Sequence, residues 1–429
     1  MLYPSLLRCT LLGTSLSLLT ACADNHAASQ VDTPTPVVQS ATISLPTAVS
    51  PTSTATFEQP TQSFASWQAA FRQEALSAGI QAAVFDAAFA GVNPDPAIIR
   101  ADRSQPEFTR PVWEYLDSAI SATRVRRGQA LLAEHASTLQ AIEQRYGVDR
   151  HALVAIWGME SNFGQYMGDK SVIAALATLA YEGRRPAFAH EQLLAALRIL
   201  QHGDVQPSRM RGSWAGAMGQ TQFIPSTYNQ FAVDFDGDGR RDIWDSSADA
   251  LASAAHYLQK SGWQSGQPWG VEVTLPSGFD YALADAEIRK PISEWRQLGV
   301  NNIPAADDQA RAVLLLPAGH RGPAFLVLDN FRAILKYNNS TAYGLAIGLL
   351  SGALDSQPGV QAAWPRSDRQ LGRSERIELQ ELLTSKGYTP GAADGIIGAN
   401  TRKAVRAFQQ SLGQPADGYP SHELLQQLR

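Results

Sequence analysis

The chain has 429 residues, enough for about three domains of ordinary size. Its 44% hydrophobic and 17% charged residues can build a sizeable core, which excludes a wholly disordered chain. Lys and Arg total 35 against 40 Asp and Glu, so no basic excess exists to drive binding to nucleic acid. The two cysteines, Cys9 and Cys22, leave the rest of the chain without a disulfide, a thiolate metal cluster or a Cys nucleophile.

Residues 1–22 carry one positive charge, Arg8, followed by an apolar run from Cys9 to Leu19. That run is too short and too rich in Ser and Thr to span a membrane, and it has the pattern of a secretory signal peptide. Leu19-Thr20-Ala21-Cys22 resembles a bacterial lipobox. The resemblance implies removal of residues 1–21 and diacylation of Cys22, and several acyl chains anchor a protein stably. An ordinary signal peptide with an incidental Cys is the alternative. Ala23 follows, not Asp, which by resemblance to bacterial lipoproteins favours the outer membrane. Residues 22–62 are rich in Ser, Thr, Ala and Pro and read as a flexible tether.

A globular body is expected over 63–351. Helical spacing appears at 64–78, 129–146, 149–160, 171–181, 187–201, 246–260 and 340–350, and β-like runs at 271–275, 312–316 and 325–328. These imply a mainly α body with a small β-containing insertion. Residues 352–370 form a second linker, and 371–429 a compact helical module.

The strongest chemistry lies in Asp149–Gly164. Asp149 caps a helix whose apolar positions include Leu153, Ile156 and Trp157, and Glu160 continues their spacing onto the inward face. Desolvation there raises a carboxyl pKa, as a general acid working near neutral pH requires. A structural ion pair with a nearby Arg is the plainer explanation of the same spacing.

The segment Trp157-Gly158-Met159-Glu160-Ser161-Asn162-Phe163-Gly164 resembles the catalytic signature of the lytic murein transglycosylase B family. Tyr181-Glu182-Gly183-Arg184-Arg185, residues 212–226 (GSWAGAMGQTQFIPS) and residues 336–343 (KYNNSTAY) continue the likeness in order. The resemblance implies a lysozyme-like α fold that cleaves the β-1,4 bond after N-acetylmuramic acid without water. Glu160 would protonate the leaving oxygen and then take a proton from the muramic C6 hydroxyl, giving a 1,6-anhydro end. One carboxyl suffices for this, unlike the usual glycosidase pair. Ser213 and Gln222 suit sugar hydroxyl or acetamido groups, and Arg184 and Arg185 suit the lactyl or stem-peptide carboxylates. Asn338 and Tyr343 match family cleft positions, and Tyr115 a cleft tyrosine. A hydrolytic muramidase and a catalytically inactive wall-anchoring lipoprotein are the alternatives.

Residues 234–245 (DFDGDGRRDIWD) fit a calcium loop, with Asp234, Asp236, Asp238, Arg240, Asp242 and Asp245 at positions 1, 3, 5, 7, 9 and 12 and Gly239 at the turn. Arg240 would offer its backbone carbonyl. Asp245 is short for bidentate closure, and Asp249 could close the site in its place. An acidic surface turn without an ion is the other reading of these residues. The family resemblance implies a structural calcium ion in an EF-hand-like loop. No organic cofactor is expected. Residues 375–428 resemble the small three-helix peptidoglycan-binding domain, with Leu379, Leu382, Val405 and Phe408 in its core. The expected partners are therefore peptidoglycan glycan strands and, through a lipidated N-terminus, the outer membrane, with no nucleic acid.

Overall fold

The computed structural model describes residues 62–103, 110–303 and 307–429. The signal segment, Cys22 and all of the tether but Gln62 lie outside the described residues. No helix among the described residues is long and apolar enough to cross a membrane.

The body is built around the helix Arg150–Ser161, in which every side chain from Ala152 to Trp157 is buried. A helix apolar on all sides belongs in a core. This one is enclosed by Ala122–Glu134, Ala136–Tyr146, Ser247–Lys260 and Thr341–Leu354. Asp149 starts it as expected, its carboxylate accepting the N–H groups of His151 (2.8 Å) and Ala152 (3.0 Å). A second layer pairs Val172–Glu182 with Pro186–His202, and Pro225–Phe231 packs on the latter.

The helix expected over 129–146 is two helices, Ala122–Glu134 and Ala136–Tyr146. His135 breaks them, with its ring edge-on to Trp157 at 5.6 Å. Neither Gly nor Pro marks the break, so local spacing carries no sign of it. Several further helices form, including Ala82–Ala88, Pro96–Arg103, Val112–Ala119 and Asp329–Tyr337, most of them about two turns long. A helical period barely registers over that length.

The short strands β1 (Lys170–Ser171) and β2 (Arg211–Gly212) pair antiparallel. The insertion is a four-stranded antiparallel sheet of β3 (Gly270–Val273), β4 (Lys290–Pro291), β5 (Arg311–Leu315) and β6 (Ala324–Val327), in the order β3-β6-β5-β4. Alternation along β5 and β6 decides its packing. Ala312, Leu314, Ala324 and Leu326 face Ile292 and Trp295, whereas Val313, Phe325 and Val327 face Leu345 and Ala346 of the body.

The linker over 352–370 is fastened to the body. The Glu272 carboxylate accepts the N–H groups of Gln361 and Ala362, both at 2.7 Å. The Trp364 ring lies 6.4 Å from Phe325, and Arg366 forms two hydrogen bonds with Asp117. The C-terminal unit packs Arg373–Ser385, Ala399–Ser411 and His422–Leu428 around Leu379, Leu383, Val405 and Leu425. It rests on the sheet insertion. Buried Asp417 accepts the His320 N–H at 2.8 Å, Arg406 pairs with Asp285, and Lys403 with Glu287.

Candidate active site

Glu160 sits in the last turn of the central helix, partly exposed at its outer edge. Asn162, Phe163 and Gly164 then follow in left-handed conformation and turn the chain away. The Phe163 ring folds back over Gly158, where a Cβ would lie 2.7 Å from it, so this position has to be glycine. The Tyr343 hydroxyl donates to Glu160 Oε1 at 2.5 Å. Burial pushes the Glu160 carboxyl up to about 7, while the Tyr343 hydrogen bond pulls the other way. Among the described residues no second carboxylate perturbs it.

Joined to the surroundings of the acid through the hydrogen bond from Tyr337 to the Thr221 carbonyl is the glycine-rich loop after β2, tied by bridges between Gly212 and Met218 and between Met218 and Phe223. The Ser213 hydroxyl accepts the N–H groups of Ala215 (3.2 Å) and Ala217 (3.0 Å), so the hydrogen it can still offer is its own. Gln222 is held at φ +51, a costly conformation for a non-glycine residue. Its amide nitrogen donates to the carbonyls of Met167 (3.1 Å) and Gly219 (2.9 Å), which leaves its carbonyl oxygen as the group to meet a ligand.

The other expected residues divide. Tyr115 acts electrostatically on Tyr343 and packs in the same cluster as Met159. Asn338 closes the helix Asp329–Tyr337 and is exposed. Arg184 is engaged by buried Asp102, through its backbone N–H at 2.9 Å and its guanidinium at 3.3 Å. Arg185 is exposed and lies over the Phe188 ring. Residue types alone did not single out Tyr337, although it lies inside the quoted segment 336–343. Its hydroxyl donates to the Thr221 carbonyl at 2.6 Å, and its ring lies 5.2 Å from Tyr257. Burial together with the negative charge on Glu160 raises its pKa well above the ordinary tyrosine range.

In the acidic loop, carboxylate oxygens of Asp234, Asp236 and Asp249 lie within 4.8 Å of one another. Asp249 closes the group, not Asp245, whose carboxylate pairs with Arg209. Asp238 turns to the Arg240 guanidinium at 2.8 Å, and Asp242 accepts the N–H groups of Trp244 and Asp245, both at 2.9 Å. The side chains of Asp238, Asp242 and Asp245 are thus not among the three that converge. Asp249 is buried and accepts three backbone N–H groups, from Phe235, Asp236 and Asp242; burial nevertheless raises its pKa. A helix set by the later Ser246 cap brings it there.

The family model of the transglycosylase SLT domain matches residues 63–352, and that of the putative peptidoglycan binding domain matches 372–428. The chain belongs to the SLT transglycosylase family. Membrane-bound lytic murein transglycosylase B of Escherichia coli K12 is 33% identical over 257 residues, covering 58% of this chain and 69% of that one. The crystal structure of SltB3 from Pseudomonas aeruginosa in complex with NAG-anhNAM-pentapeptide shares 65% identity and covers 86% of this chain and 100% of that one, with a TM-score of 0.84. The Escherichia coli lytic transglycosylase Slt35 in complex with calcium is 29% identical, covers 67% of this chain and 92% of that one, and gives a TM-score of 0.58. The mainly α body is thus the lysozyme-like fold of the family, and the enzyme is a lytic murein transglycosylase.

The Tyr343 hydroxyl favours the ionised form of Glu160, so its removal raises the Glu160 pKa further. Tyr343→Phe is expected to move the alkaline limb of the kcat/KM profile to higher pH, while lowering the maximum by about tenfold through lost orientation. Rates on a defined glycan across pH check this. A limb that stays in place, or moves down, contradicts the assigned contact.

Proposed function

We propose that Glu160 carries both proton transfers of an intramolecular transglycosylation at the bond between N-acetylmuramic acid and N-acetylglucosamine. A carboxyl pushed up to about 7 is protonated in a large fraction of molecules near neutral pH. It gives its proton to the glycosidic oxygen as the C1–O bond breaks. As the carboxylate it then takes the C6 hydroxyl proton while that oxygen bonds to C1. No water is consumed and Glu160 ends as it began. The observation that carries the reading is a desolvated Glu160 acted on by a tyrosine hydroxyl and, among the described residues, by no second carboxylate. The SltB3 complexes with NAG-anhNAM-pentapeptide and NAG-NAM-pentapeptide support the same substrate class here.

Ser213 donates its hydroxyl hydrogen, and Gln222 accepts through its amide oxygen, from sugar hydroxyl or acetamido groups. Tyr115, Asn338 and Tyr343 line the same cleft. Arg185 takes a carboxylate of the lactyl group or stem peptide, with Arg184 oriented beside it by Asp102. The C-terminal unit holds the enzyme at the wall, which raises the local concentration of glycan.

Asp234, Asp236 and Asp249 hold one calcium ion in a purely structural role. Three converging carboxylate oxygens, one from a buried acid, need a cation to offset their repulsion, and hard oxygen donors suit calcium. The complex of Slt35 with calcium supports this choice of ion. The enzyme is anchored to the periplasmic face of the outer membrane through acyl chains on Cys22, a reading supported by the lipobox-like sequence and by a membrane-bound relative.

Glu160→Gln is expected to abolish glycan cleavage while leaving wall binding intact. It also tests burial. The folded pKa of Glu160 is raised, so its burial costs nothing below the unfolded value of 4.5. The cost grows as pH rises and is complete above about 7, where it amounts to about 3 kcal/mol. Glu160→Gln should therefore melt higher than wild type at pH 8 and alike at pH 4. Retained turnover on sacculi would refute the assigned role. For the ion, calcium is expected to raise the melting temperature of metal-free enzyme by a few degrees and chelator to reverse it. Asp236→Asn should blunt the response with activity kept well below melting, and a calcium-indifferent melting curve would count against the site. Cys22→Ala should leave the protein in the soluble fraction after cell lysis, and its recovery with membranes would contradict the anchor.

A further inference from the structure

We propose that Gln220 is a positioning residue of the active site, pinning the glycine-rich loop to the catalytic helix and thereby holding Tyr337 within electrostatic reach of Glu160. The inference rests on Glu160 being the acid. Gln220 is 6% exposed, and its amide is used at both ends. The oxygen accepts the indole N–H of Trp157 at 2.8 Å, and the nitrogen donates to the Trp244 carbonyl at 3.1 Å. Its backbone N–H donates to the Ile243 carbonyl at 2.9 Å. Trp157 stands three residues before Glu160 on the same helix. The residue after Gln220 is Thr221, whose carbonyl receives the Tyr337 hydroxyl at 2.6 Å. The amide thus reaches the catalytic helix through Trp157, and the next residue along the loop holds Tyr337.

The segment beyond the acid is shaped to the same side chain. A Cβ on Gly164 would fall 2.9 Å from the Gln220 amide oxygen. A bare residue is needed there for the amide to reach Trp157. The amide meets a donor on the helix and an acceptor on the loop. An ionised Glu could not donate, and Met offers no donor and only a weak sulfur acceptor. The titratable groups that face Glu160 are Tyr343 from the helix Thr341–Leu354 and Tyr337 from the helix Asp329–Tyr337, with Tyr115 and Tyr257 behind them. Tyr337 is the one of these four whose hydroxyl is held by the loop that Gln220 fixes. When the loop loosens, water reaches the carboxyl and its ionised form becomes easier to reach.

The test is the pH profile of kcat, with KM and melting temperature, for wild type, Gln220→Met, Trp157→Phe and the double variant on a defined glycan. Met keeps the approximate volume and removes both hydrogen bonds. Phe keeps an aromatic ring at the position, removes the indole N–H together with part of the ring, and carries the test if Gln220→Met does not fold. Each single variant is expected to lose about tenfold in kcat at pH 7.5, with KM within about twofold, as for a group that acts on the chemical step alone. The alkaline limb is expected to move to lower pH by about half a unit or more. The double variant should be no worse than the poorer single one, since the contact that Trp157→Phe removes is one that Gln220→Met removes already. A wild-type alkaline limb that both single variants leave in place, with only the melting temperature lowered, overturns the proposal and leaves Glu160 as the acid. A wild-type profile with no alkaline limb overturns the reading of Glu160, and this proposal with it.

Discussion

The desolvation of one carboxyl group governs the design of this enzyme. Glu160 lies in the last turn of a helix buried from Ala152 to Gly158, with the Tyr343 hydroxyl on its carboxylate and Tyr337 within electrostatic reach. The surrounding helices shield the carboxyl from much of the water, which keeps it protonated in a large fraction of molecules near neutral pH, and Tyr343 tempers the effect so that the carboxylate can still form. An acid that must give and then recover a proton works best between these extremes. The burial is a standing cost to stability above neutral pH, of the kind that functional sites carry. The chemistry proposed here needs no partner acid, because the attacking hydroxyl belongs to the substrate itself.

Much of this was legible in the sequence. Glu160 announces itself by continuing the inward spacing of Leu153, Ile156 and Trp157, and the Asp149 cap marks where its helix starts. The sheet strands show themselves by β-branched and aromatic runs, and the three-helix unit by Leu379, Val405 and Phe408. What stayed hidden depends on contacts distant in the chain. The break at His135 answers to Trp157, and Arg184 is oriented by Asp102, more than eighty residues away. The metal-loop spacing pointed to Asp245, yet Arg209 draws that side chain off, and the capped helix after Ser246 presents Asp249. Gln220 looks like one polar residue among several until the fold sets it between Trp157 and Trp244.

The second linker and the C-terminal unit add a mechanical theme. Glu272, Trp364 and Arg366 strap the linker to the body, and Asp417 and Arg406 seat the unit on the sheet insertion. Exposed pairs such as Lys403 with Glu287 contribute little. Arg406 with Asp285 is largely buried, so removing either partner would leave a charge without compensation.

The central claim is that the bond is broken by a hydroxyl of the substrate and not by water. Digesting purified sacculi in water enriched in heavy oxygen, and weighing the released muropeptides by mass spectrometry, tests it directly. The account expects muramic ends that are 1,6-anhydro, lighter than the reducing form by one water and free of the label. Reducing muramic ends carrying heavy oxygen as the primary product would contradict it and make the enzyme a hydrolase.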